Sequence, residues 1–149
     1  MHCNLQRGKT KSWLQQTWST SDTFFYFDIN SFFKFHILQE SIFSIALTQV
    51  NNNERYGSVE IDKNAEVVSF KEKNNSNNSN INTGFYFINK KFDFNNFLDK
   101  FSIEKDFFED KNRNIKIYAK LFDGDFLDIG TPDDYSKSET FVNKVYWYF

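Results

Sequence analysis

The pattern of apolar and polar positions is clearest between Ser58 and Phe70, where two short alternating runs flank Asp62-Lys63-Asn64-Ala65. Val59 and Ile61 alternate with polar neighbours, as do Val68 and Phe70, which is the period of a strand with one buried face. Asp62 and Asn64 are turn formers, so the pattern predicts a β-hairpin. Its outer ends, Gly57 and Glu72-Lys73, then stand side by side. Bare backbone, a carboxylate and an ammonium at one corner suit a sugar phosphate. The same residues suit the solvated base of a surface hairpin.

Thr23 to Phe27 is a short apolar run fit for a buried strand, with Asp22 at its start and Asp28 just past its end. Asn30 or Ser31 can cap a helix through about Glu40, with Phe32, Phe33, Phe35, His36 and Leu38 for its buried side. His36 reads as a packed or solvent-edge residue rather than a ligand. Ile42 to Val50 is a further strand. Asn74 to Asn80 is an Asn/Ser tract and reads as a loop. Ile81 to Ile88 is a strand with Gly84 inside it, a sign of a bulge or of close ligand approach. Phe92 to Asp110 reads as mostly helical, in two pieces, its charges a solvated face. Ile115 to Leu121 alternates as a strand.

The last patterned stretch runs from Asp123 to Tyr135. Phe126 to Ile129 is a short strand ending near Gly130. Thr131 can act as N-cap, Pro132 as first helical residue, and Asp133 and Asp134 as first-turn acids. Asp128, just before this turn, is either a structural carboxylate that needs partners or a hard oxygen ligand for Mg²⁺.

Composition narrows the picture. The 149 residues suit one domain, and a net charge of −2 with mixed signs argues against nucleic acid or an anionic membrane as partner. Cys3 is the only cysteine, and His2 and His36 are the only histidines. That excludes a disulfide framework and a thiolate metal cluster, and argues against a zinc site or a Ser-His-Asp hydrolase. The Phe-rich run from Phe24 to Val50 is broken by Asp28, Lys34, His36, Gln39 and Glu40, so it does not read as a membrane span. A soluble cytoplasmic protein is expected. Residues 1–20 hold two of the three Trp and no Phe, and read as a disordered leader before a domain over 21–149. Of five glycines, Gly57, Gly84, Gly124 and Gly130 fall at strand ends or turns beside polar residues, the usual material of a phosphate or sugar site.

Five stretches, SDTFFYFDIN, ERYGSVEID, SFKEK, INTGFYFIN and DGDFLDIGTPDDY, carry a resemblance over about Ser21 to Val142. In order and approximate spacing they resemble the sugar-1-phosphate nucleotidyltransferases, in the D-glycero-D-manno-heptose 1-phosphate guanylyltransferase branch near the mannose-1-phosphate guanylyltransferases. The resemblance implies an α/β, Rossmann-like (GT-A-like) mixed sheet flanked by helices. It implies attack of a sugar 1-phosphate on a nucleoside triphosphate, GTP in this branch, with Mg²⁺ as cofactor and pyrophosphate released. By position, Asp22 and Asp128 match the metal-binding aspartates. Lys73 matches the lysine that contacts the sugar phosphate, and Glu72 the holder of sugar hydroxyls. Gly57 and Gly84 match points of backbone approach, with Tyr56 and Asn82 beside them among the substrate-binding positions. The partners implied are the sugar phosphate and the triphosphate, with an oligomer left open.

Departures are equally specific. No segment resembles the family's G-G-x-G-T-R-L loop or its K-P-K segment, whose backbone N–H groups and charges hold the triphosphate. Ser21 stands where the family has glycine, and Asn74 where many members have proline. The expectation is the C-terminal, acceptor-binding part of such an enzyme, truncated at its nucleotide half and inactive alone. The alternative is a non-catalytic remnant or a sugar-phosphate-binding module.

Overall fold

A run of six buried residues, Phe43 to Thr48, makes a strand covered on both faces. Around it the computed structural model describes residues 16–19, 23–50, 56–71, 79–93, 102–110 and 114–146. The elements are β1 (Gln16–Ser19), β2 (Thr23–Phe25), α1 (Ile29–Leu38), β3 (Phe43–Val50), β4 (Ser58–Ile61), β5 (Val67–Lys71), β6 (Ser79–Ile88), a π-helical turn (Ile103–Phe108), β7 (Ile117–Leu121), β8 (Phe126–Asp128) and α2 (Pro132–Tyr146).

The main sheet has the order β5-β4-β6-β3-β7 and is mixed: β3 and β7 run parallel, while its other pairs are antiparallel. β1 pairs with residues 85–88 of β6 and β4 meets β6 at Ile81, so both lie on the edge of β6 that faces away from β3. The sheet curls until its ends meet. The Ala119 N–H donates to the Ala65 carbonyl at 2.8 Å, and Glu66 bridges to Tyr118. β2 and β8 form a separate two-stranded ribbon.

Strand alternation sorts the core into two clusters. Ile45, Leu47, Tyr86 and Ile88 pack on one face with Phe43, Phe107 and Phe108. Ala46 and Phe87 point to the other face, against Phe25 and Phe32, with Phe27, Phe85, Phe122 and Phe126 around them. On this second side His36 of α1 is fully buried, its Nδ1 2.7 Å from the Ser44 hydroxyl. That fits the packed reading of this residue.

Several expectations shift in detail. The cap of α1 is Asp28, whose carboxylate accepts the Ser31 N–H at 3.0 Å, so the helix starts before Asn30. In the hairpin, Ile61 pairs with Val67 and Glu60 with Ser69. One extra residue on β5 reverses the parity there: Val67 is buried and Val68 is 60% exposed, contrary to the alternation read through Val68 and Phe70. The turn itself forms as predicted, with Asp62 Oδ1 accepting the Asn64 and Glu66 N–H groups at 2.9 and 2.8 Å. Those bonds hold the Asp62 carboxyl below its ordinary value. The described part of the stretch read as two helical pieces is a π-helical turn, closed by Glu109 N–H to Glu104 O. This wide turn sends the adjacent Phe107 and Phe108 into the core together with Ile103. Strand β1 lies within the stretch read as a leader, where no strand period is visible; its register comes from the β6 edge.

Candidate functional site

The most irregular point of the main sheet is where Gly84 interrupts β6. Ile45 pairs with Tyr86 and Leu47 with Asn82, so Thr83, Gly84 and Phe85 stand opposite Ala46 alone. Gly84 takes φ 78°, a left-handed conformation that glycine adopts without steric cost. This is the bulge that glycine in mid-strand predicts. Side-chain hydrogen bonds brace the bulge. The Thr83 hydroxyl donates to the Ala46 carbonyl at 2.8 Å, and the Gly84 N–H donates to Asn82 Oδ1 at 3.0 Å. Asn82 Nδ2 donates to the Tyr86 hydroxyl at 2.7 Å and to Glu104 Oε1 at 3.2 Å.

The hairpin begins beside this bulge. Ser58 pairs with Ile81, so Gly57 and Asn82 are the next residues along that register. A side chain at position 57 would place its Cβ 3.0 Å from the Lys71 carbonyl oxygen, which is why the chain passes here as glycine. Tyr56 turns its ring edge-on to Phe126 with centroids 5.5 Å apart, and so joins the hairpin to the ribbon. Phe126 lies two residues before Asp128 on β8. Asp128 Oδ1 accepts the Gly130 N–H at 3.0 Å, and the backbone of Asp128 pairs with Thr23, the residue after Asp22.

Four expected substrate positions, Tyr56, Gly57, Asn82 and Gly84, therefore lie in one neighbourhood, and Tyr56 connects them to the strand that carries Asp128. Asp22, Glu72 and Lys73 lie outside the described residues. Among the described residues no group of three or more His, Cys, Asp or Glu side chains gathers as a metal cluster. Mg²⁺ is commonly held by one or two carboxylates plus substrate phosphates, and the hard, partly exposed carboxylate of Asp128 fits that donor set. Glu104 was not distinguished by the sequence: its stretch reads as helix with a solvated charged face, and only the fold brings it against Asn82.

A model of the nucleotidyl transferase family matches residues 13–145. The chain belongs to this family. It is 40% identical over 119 residues to the D-glycero-alpha-D-manno-heptose 1-phosphate guanylyltransferase of Aneurinibacillus thermoaerophilus, a match covering 79% of this chain and 51% of that protein. The Campylobacter jejuni protein of the same description is 40% identical over 116 residues, covering 76% of this chain and 50% of the relative. Among solved structures, HddC from Yersinia pseudotuberculosis superposes with a TM-score of 0.72 at 32% identity, covering 84% of this chain and 54% of that one. HddC has also been solved complexed with GMP-PN. The chain thus spans about half the length of the relatives it matches. The mixed α/β nucleotidyltransferase fold implied by the sequence resemblance is the one observed.

Proposed function

We propose that this chain forms the acceptor-binding part of a sugar-1-phosphate guanylyltransferase. Its ligand is D-glycero-D-manno-heptose 1-phosphate or a hexose 1-phosphate. In the parent reaction the sugar phosphate oxygen forms a bond to the α-phosphorus of GTP, the bond from that phosphorus to the bridging oxygen breaks, and pyrophosphate leaves. The observation that carries this reading is the β6 bulge, with Gly84, Asn82 and Gly57 converging where the resemblance puts the sugar. Similarity to two heptose 1-phosphate guanylyltransferases and to a structure complexed with a GMP analogue supports the substrate pair.

In this reading the closely approached backbone at Gly57 and Gly84 seats the sugar ring. Glu72 accepts hydrogen bonds from sugar hydroxyls, and Lys73 sets its ammonium against the sugar phosphate. Tyr56, packed on Phe126, and Asn82 line the same seat. Asp22 and Asp128 would hold Mg²⁺, which when bound supplies charge neutralisation at the phosphates. Such chemistry draws on soluble nucleotides, consistent with a cytoplasmic site of action, and no helix among the described residues is long and apolar enough to cross a membrane.

Binding is tested by calorimetric titration of the chain with heptose 1-phosphate and mannose 1-phosphate. Saturable binding that weakens more than tenfold in Lys73→Ala is expected; binding that is indifferent to Lys73→Ala and Glu72→Ala overturns the reading. The 149 residues carry no G-G-x-G-T-R-L loop, so this chain alone, given GTP, Mg²⁺ and the sugar phosphate, is expected to release no pyrophosphate. Measurable release overturns that expectation.

A further inference from the structure

The Asn82 carboxamide bonds in three directions. Its oxygen accepts the Gly84 N–H, and its nitrogen donates to the Tyr86 hydroxyl and to the Glu104 carboxylate. These partners are not equivalent. A backbone N–H only donates and a carboxylate only accepts, whereas a tyrosine hydroxyl does either. Gly84 and Glu104 therefore decide which end of the amide is oxygen, and Tyr86 accommodates the result. With both Nδ2 protons engaged, the capacity left to Asn82 is a second lone pair on Oδ1.

We propose that Glu104 is a positioning residue of the sugar site. It holds the Asn82 carboxamide so that its oxygen faces the Gly84 side and offers an acceptor to a sugar hydroxyl. The proposal rests on the sugar-phosphate reading above and adds a residue that lies outside the motifs carrying the resemblance. The fold explains its placement. The π-helical turn buries Ile103, Phe107 and Phe108 as its anchor, and Asp106 closes its start by accepting the Ser102 N–H at 2.6 Å. The exposed residue following Ile103 is then delivered to the bulge, 22 positions along the chain from Asn82. Loss of the carboxylate leaves Gly84 alone to set the orientation of the amide, which loosens rather than unfolds the site.

Two variants separate positioning from bulk structure. Glu104→Gln keeps an amide oxygen able to accept from Asn82, while Glu104→Ala keeps nothing. With the full chain titrated with heptose 1-phosphate, Glu104→Ala is expected to weaken binding about tenfold, the worth of one hydrogen bond to a charged group. Glu104→Gln is expected to stay within about threefold, and neither variant should lower the melting temperature appreciably, because Glu104 is exposed. Wild-type affinity in Glu104→Ala, or equal damage in both variants, overturns the proposal. Should the wild-type chain bind no sugar phosphate, the site reading itself fails, and positioning is then decided by the Asn82 side-chain NH₂ resonances of ¹⁵N-labelled protein. Resonances that move to solvent-exposed values only in Glu104→Ala support positioning; resonances unchanged in all three proteins overturn it.

Discussion

The β6 bulge and the β2–β8 ribbon carry the two sides of the candidate site on unlike supports. β6 is paired on both edges, by β3 on one and by β1 and β4 on the other, and the residues flanking its bulge belong to a core in which Ile45, Leu47 and Ile81 are fully buried. The ribbon has three paired residues on each strand, and the side chains of β8 are only half-buried. It is held from outside, by Tyr56 against Phe126, by Phe85 of β6 against Phe25 and by Phe141 of α2 against Phe24. Local opening free energy follows burial and pairing. The bulge side of the candidate site is thus preorganised by the core of the sheet, while the ribbon side, which carries Asp128, has little stability of its own.

The sharpest test compares one ring on each side. Phe43 is fully buried among Tyr86, Phe92, Phe107 and Phe108, with centroids 5.2–5.7 Å away. Phe43→Ala is expected to cost about 3–5 kcal/mol of global stability in chemical denaturation. Phe126→Ala removes a half-buried ring and is expected to cost about 1–2 kcal/mol. Equal losses would break the comparison.

His36 adds a pH axis on the sheet side. Its ring is fully buried, Nε2 has no hydrogen-bond partner among the described residues, and burial pushes its pKa from 6.5 down to about 4. The folded state therefore resists protonation that the unfolded chain accepts. The stabilisation from a neutral His36 is complete above pH 6.5 and is lost as pH falls from there towards about 4. Over that window the loss amounts to about 3 kcal/mol. Unfolding free energies measured from pH 7 to pH 4.5 should fall more steeply in the wild type than in His36→Gln, which keeps a partner for Ser44 but does not titrate. Parallel profiles would show that His36 is not neutral and buried.

Next in size is the ribbon's own tight point. A Cβ at Gly124 would stand well inside contact with the Tyr26 carbonyl oxygen and 3.0 Å from the Phe25 ring. Backbone has to move, so Gly124→Ala is expected to cost about 1–3 kcal/mol. The loss should appear as faster amide exchange at Tyr26, whose N–H donates to Asp125 O at 2.9 Å, with β3 and β6 amides unaffected. Equal acceleration in β3 would mean that ribbon and sheet open together.

The same contrast explains what was legible in the sequence. The hairpin turn at Asp62, the bulge at Gly84 and the Thr131 cap were readable because each depends on local chemistry: an Asx acceptor, a positive φ, a hydroxyl before Pro132. What was not legible depends on partners distant in the chain. The exchange of Val67 for Val68 on the buried face follows from a register shift against β4. The strand at Gln16–Ser19 has no period of its own and takes its form from the β6 edge. Glu104 looks like any solvated helix charge until the π-helical turn sets it beside Asn82. Asp28, rather than Asn30 or Ser31, caps α1 because its carboxylate reaches the Ser31 N–H; all three residue types are good caps, so composition did not choose among them.

The smallest expected effect marks where the ribbon ends. Thr131 Oγ1 accepts the Asp134 N–H at 3.2 Å and donates to Asp134 Oδ2 at 2.6 Å, a reciprocal closure of the first turn of α2. Thr131→Ala removes both bonds and is expected to cost about 1 kcal/mol. Thr131→Ser should restore most of it. Because α2 meets the ribbon through Phe141 and Phe24, fraying of its first turn should quicken amide exchange at Asp134 and Tyr135 and then, more weakly, at Phe24. It should leave the β3–β6 ladder untouched. A loss above about 2 kcal/mol, beyond what an N-cap contributes, would mean that the end of α2 governs the stability of the whole sheet. The carboxylate side would then be the stronger support, and Asp128 rather than the bulge would be the fixed point around which a ligand site is organised.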